Sequence, residues 1–117
     1  MATVAVSKQD QFNDIAVYTW APLTTTNADG DPVAFQGSGD RTVQVQGTFG
    51  SGGSVTLQGS NDGTNWRTLV DPQGSAITAT SAILSAIEQC PVFVRPFVTA
   101  GDGTTSLTVT LAVRRGR

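Results

Sequence analysis

The sequence predicts an all-β fold, an antiparallel β-sandwich of jelly-roll-like form with about seven or eight short strands. Three observations lead there. Apolar residues alternate with polar ones in several short runs, as at Val43 and Val45, at Val55 and Leu57, and at Leu107, Val109, Leu111 and Val113; this is the period of a strand with one buried face. Turn signals built from Gly, Asp, Asn and Pro separate these runs. No convincing long helical pattern interrupts them. The composition agrees: charged residues are 14% of the 117-residue chain, which is rich in Thr, Ser, Gly, Gln and Val, as expected of strands with polar, uncharged outer faces.

Residues 1–14 read as an N-terminal arm or short strand, and residues 15–117 as a single β-sandwich domain. The first residues up to Val6 have strand propensity, whereas residues 7–14 are polar and nearly patternless. The run Ile15-Ala16-Val17-Tyr18-Thr19-Trp20 is apolar on both faces, which implies a central strand or one whose outer face meets a partner, and Pro22 ends it. Residues 23–40 form a long connection with a short strand at 33–36, of the length that is commonly functional or partner-bound.

Residues 43–49 and 55–57 are expected to pair as a β-hairpin across Gly50-Ser51-Gly52-Gly53, where glycine takes positive φ without steric cost. A second turn at Asn61-Asp62-Gly63-Thr64-Asn65 returns Trp66, read as a core-filling residue, and Leu69 to the same layer. Residues 76–80 make a short strand. Residues 81–89 carry Ile83, Leu84 and Ile87 at helical spacing and are read as an irregular connection or a single helical turn.

The most apolar strand is residues 91–98. Its Pro96 lacks a ladder donor, which predicts an edge or bulged position. Arg95, between apolar neighbours, must pair with an acid, reach solvent or enter an interface. The final run, residues 106–113, directs Leu107, Val109, Leu111 and Val113 to the core.

The charge is asymmetric. Lys8 faces Asp10, Asp14, Asp29, Asp31 and Asp40 in the first third, and from residue 41 onward six arginines face four acids, giving a net −2. The basic end, Arg114-Arg115-Gly116-Arg117, is too short for a nucleic-acid footprint; it is a solvated terminus or an electrostatic foot for an acidic surface. No nucleic-acid partner is expected. The lone Cys90 excludes an intramolecular disulfide and reads as a small, half-buried hydrophobe. No apolar run approaches the length of a membrane span, and no signal-peptide pattern opens the chain, so a soluble protein made in the cytosol and without a membrane partner is expected.

Composition also bears on catalysis. Without histidine there is no Ser-His-Asp or Cys-His nucleophile, no imidazole metal site and no histidine general base. One cysteine builds no zinc site, and Glu88 is the only glutamate. Asp29-Gly30-Asp31, Asp62 and Asp102 raise a calcium reading, but they lack the ligand positions of a calcium loop, and Asp beside Gly is favoured in turns. No enzyme activity, cofactor or metal is expected.

The string Gly53-Ser54-Val55-Thr56-Leu57-Gln58-Gly59-Ser60-Asn61-Asp62-Gly63-Thr64-Asn65-Trp66, followed by Leu69, Asp71-Pro72-Gln73-Gly74 and Val94-Arg95-Pro96, resembles small structural proteins of tailed-bacteriophage heads, the capsid decoration or cement proteins. The resemblance covers residues 18–114. It implies a virion protein on the outer surface of the head, made in the host cytoplasm. Such a protein binds the major capsid protein, commonly as a homo-trimer, and clamps neighbouring capsomers. Interface candidates are Tyr18, Trp20, Phe93, Arg95, Phe97, Arg114 and Arg115, because interface cores favour aromatic residues and arginine. Two alternatives stay open: a carbohydrate-binding module of a phage tail or fibre, with Trp66 as stacking platform, and a head-tail connector or tail-tube subunit.

Overall fold

Strand pairing in the computed structural model, which describes residues 3–12, 15–34, 38–89 and 91–115, explains the whole architecture. For residues 8–12, 38, 39 and 115 the backbone alone is described. Ten strands run in chain order among the described residues: β1 (Val6–Phe12), β2 (Ile15–Leu23), β3 (Val33–Ala34), β4 (Ser38–Thr48), β5 (Ser54–Ser60), β6 (Arg67–Thr68), β7 (Thr78–Ala79), β8 (Ile83–Ala86), β9 (Phe93–Ala100) and β10 (Ser106–Arg115). Strand β2 pairs with β10, β3 with β9, β4 with β8, and β5 with β6, all antiparallel. These four pairs are successive rungs of one long folded ribbon, and they fall alternately into two sheets, β1-β2-β10-β4-β8 and β3-β9-β5-β6, with β7 beside β5. A double-sheet ribbon rolled in this way is the jelly-roll form of the β-sandwich.

The core lies between the sheets. Alternation along β10 buries Leu107, Val109, Leu111 and Val113, and β4 adds Val43 and Val45 from the same sheet; Val55 and Leu57 of β5 and Val94 and Val98 of β9 face them. Each fully buried side chain of this size contributes roughly 1.5–3 kcal/mol. The space left between Val43, Val55, Leu57, Ile77 and Val109 is a void of about 10 Å³, a packing gap rather than a ligand cavity.

Several expectations need correction. Residues 43–49 and 55–57 do not form a hairpin: β4 and β5 lie in opposite sheets, and the glycine-rich turn carries the chain across the sandwich. That crossing is pinned by Asp102, whose carboxylate accepts the Ser51 N–H (2.9 Å), and by Thr105, whose hydroxyl donates to the Phe49 carbonyl (2.8 Å). Residues 81–89 are neither helical nor irregular throughout, because β8 pairs with β4 from Thr42↔Ala86 to Val45↔Ile83. Ile83 is therefore half-buried and Ile87 buried, while Leu84 points outward and is 72% exposed.

Of the two positions expected for the Pro96 strand, the edge is excluded, whereas a register shift against β5 does occur, past Val98 at Thr99. Strand β9 sits between β3 and β5. Backbone N–H and C=O of one residue point to the same side of a strand, and the Pro96 carbonyl accepts the Gly30 N–H (2.9 Å). The missing donor of Pro96 thus faces the short, interrupted β3 side, and the ladder to β5 loses nothing. Gly30 makes this approach possible: a Cβ there would lie 2.5 Å from Pro96 Cδ and 2.7 Å from Trp20 Cδ1.

At the N-terminal end, Val6–Phe12 forms an edge strand on β2 with a register shift between Asp10 and Phe12. Met1, Ala2, Asn13, Asp14, Cys90, Gly116 and Arg117 lie outside the described residues, as do Phe35, Gln36 and Gly37, the first two of which belong to the short strand expected at 33–36.

Candidate interaction surface

The register of β9 on β5 decides which side chains share the outer face of the second sheet. Val94, Pro96 and Val98 point inward and are buried, so Phe93, Arg95, Phe97 and Thr99 point outward. Across β5 the pairs are Ser60↔Phe93, Gln58↔Arg95 and Thr56↔Phe97. Gln58 lies opposite Thr68 of β6, which puts Trp66 on the outer side next to Ser60.

Arg95 is the centre of this face. Its Nε donates to Gln58 Oε1 (2.9 Å), and its guanidinium carbon lies 4.2 Å from the Trp66 ring centroid and 5.6 Å from that of Phe97. A planar guanidinium held over an indole gains cation–π attraction while its edge remains available. Neither Nη group donates a hydrogen bond to any described residue. Among the residues of β3, β5, β6 and β9, the charged ones are Arg95 and Arg67; Arg67 pairs with Gly59 on the edge strand β6, is exposed, and donates from Nη1 to the Trp66 carbonyl (3.0 Å).

The turn after β5 places Trp66. Ser60 Oγ donates to Asp62 Oδ1 (2.8 Å) and accepts the Gly63 N–H (2.9 Å). Asp62 Oδ1 accepts the N–H groups of Thr64 (2.8 Å) and Asn65 (2.9 Å), and Oδ2 accepts Asn65 Nδ2 (2.9 Å). The Asn65 and Thr64 backbone N–H groups, then the side chains of Asn65 and Ser60, hold the Asp62 carboxyl well below the usual carboxylate range. The aspartate is thus a turn organiser. Asn61 Oδ1 accepts the N–H of Val92, which is 44% exposed beside Phe93.

The expected interface residues therefore separate. Phe93, Arg95 and Phe97 share one face, each half-buried, with Phe97 also touching the core. Trp20 and Tyr18 do not join them. In register with Val109 and Leu111, both point inward: Trp20 is 0% exposed, donates its indole N–H to the Asp31 carbonyl (2.9 Å), and has no surface for a partner. Tyr18 is half-buried against the core. The outer positions of β2 belong instead to Ile15, Val17 and Thr19. Arg114 is exposed on the other sheet, and only the backbone of Arg115 is described, paired with Ser38.

Trp66 is the residue the sequence reading misplaced; it covers the outer face under Arg95 rather than filling the core. Gln58 carries no signal of its role in the local sequence. Its position between outward-facing Thr56 and Ser60 marked it as exposed, but its partner 37 residues away is fixed by strand register. No protein-family model matches the chain, and no curated protein matches it.

Proposed function

We propose that this chain is a structural virion protein that decorates a tailed-bacteriophage capsid on the outside of the head, binding the major capsid protein as a homo-trimer and clamping neighbouring capsomers. The observation that carries the reading is the outer face of β9 and β5. There Arg95 is stacked on Trp66 and flanked by Phe93, Phe97 and the exposed Val92. This is the composition of an interface centre, in which aromatic residues and arginine dominate the binding energy. The resemblance of residues 53–66 and 94–96 to decoration proteins supplies the partner. The carbohydrate-binding alternative is weakened because Arg95 already occupies one face of the Trp66 ring on which a sugar would stack.

Light scattering of the purified chain, followed by co-sedimentation with capsids of the phage that encodes it, tests the proposal. A trimer that saturates capsid sites is expected. Phe93→Ala is expected to weaken capsid binding about 30-fold, the magnitude of an interface hot spot. A monomer that ignores capsids overturns the reading.

A further inference from the structure

Resting on the reading that the outer face of β9 and β5 docks on a capsid, we propose that Arg95 is the anchor for a carboxylate of the protein beneath it, an Asp or Glu side chain gripped by the two Nη amino groups. Three features converge on this. The first is preorganisation: Gln58 holds Nε (2.9 Å) and Trp66 holds the guanidinium plane (4.2 Å to the ring centroid), so the rotamer freedom an arginine ordinarily loses on binding is already gone. The second is an incomplete donor set, since the Nη groups hydrogen-bond to no described residue. The third is that no described acid meets the guanidinium: Asp29, in register with Phe97 on the far flank of β9, accepts the Thr3 hydroxyl instead (3.0 Å). No residue of β3, β5, β6 or β9 is acidic, and the acid of the adjoining turn, Asp62, spends its oxygens on Ser60, Thr64 and Asn65.

Docking this face dries it. A guanidinium that loses water without gaining an acceptor opposes binding, so the partner must supply one, and a carboxylate matches the planar fork in a bidentate pair. A phosphate backbone fits less well. Polyanion binding uses a stripe of bases, whereas this sheet offers only Arg95 and the exposed Arg67 at its edge, and the chain as a whole carries a net −2.

Carbodiimide coupling on capsids tests the partner's chemistry, because it joins a carboxylate to a nearby amine as an amide. With the Arg95→Lys variant bound, the introduced amine is expected to couple to an Asp or Glu of the major capsid protein, located by peptide mass spectrometry. Wild-type binding is expected to weaken with added salt, and Arg95→Gln is expected to weaken binding about 30-fold or more and to reduce that salt dependence. If the wild-type chain sediments with capsids and Arg95→Gln does so equally well, or if bound Arg95→Lys couples at position 95 to nothing on the capsid protein, the carboxylate is wrong while decoration stands. If the wild-type chain does not sediment with capsids, decoration itself fails, and the anchor with it.

Discussion

Single residues divide into those that hold the fold and those that present a surface, and burial separates two tryptophans that look alike in the sequence. Trp20 is fully enclosed and hydrogen-bonded to the Asp31 carbonyl. Trp20→Ala is expected to cost about 3–5 kcal/mol of stability, read as a lowered denaturation midpoint. Trp66, half-buried under Arg95, has no such role; Trp66→Ala should change stability far less while weakening the capsid binding proposed for its face. Asp102 acts at the same scale. Donation by the Thr104 hydroxyl, then by the Ser51 and Thr104 N–H groups, lowers its pKa from 3.8 to about 2. A depressed folded-state pKa contributes stability that is present above the unfolded value and lost as pH falls through the folded one. The melting temperature should therefore drop between pH 3.8 and about 2. Asp102→Asn should lower it at neutral pH and flatten that acid-side slope, with Asp62 supplying the remainder. An unchanged slope in the variant would show that the Asp102 turn does not tie Ser51 to the 101–105 loop.

Among elements, β9 and β8 show opposite strategies. Strand β9 keeps a proline in a central position because its missing donor faces the interrupted β3 side and Gly30 leaves room for the ring. Gly30→Ala would drive a Cβ against Pro96 and Trp20, and a loss of about 1–3 kcal/mol in chemical denaturation is expected. Strand β8 is a four-residue edge whose outward Leu84 is 72% exposed. Leu84→Lys should leave stability within about 0.5 kcal/mol. A larger loss would place Leu84 in the packing rather than on the surface.

For the whole molecule, one core joins both sheets, and its largest members come from strands at opposite ends of the chain, such as Trp20 of β2 and Leu107 of β10. A single core of this kind unfolds as a unit. Tryptophan fluorescence and far-ultraviolet circular dichroism should therefore report coincident transitions, and separated transitions would mean that the two sheets lose structure independently. The same architecture leaves the two outer faces chemically distinct. One carries Thr and Gln from β4 and β10 beside the aliphatic Ile15 and Val17 of β2 and Leu84 of β8, and the other carries the aromatic Phe93, Phe97 and Trp66 around Arg95. That difference is why the second face is proposed to dock.

The alternation of Val43 and Val45, of Val55 and Leu57, and of Leu107 to Val113 by itself determined the all-β class, the existence of these strands and the residues each buries, because side-chain direction along a strand is a local, two-residue property. The Asp62 turn was legible for the same reason, since its bonds span only a few residues. Only the tertiary structure decided which strands pair. The turn at residues 50–53 suits a hairpin and a crossing between sheets equally well, and its role is set by Asp102 and Thr105 from the far end of the chain. Pairing with β4 likewise drew residues 83–86 into a strand that their own spacing did not announce. The interaction surface belongs to the same class: Gln58, Trp66, Arg95 and Phe97 meet because β5, β6 and β9 share one register, and register is a property of strands brought together, which no single segment contains.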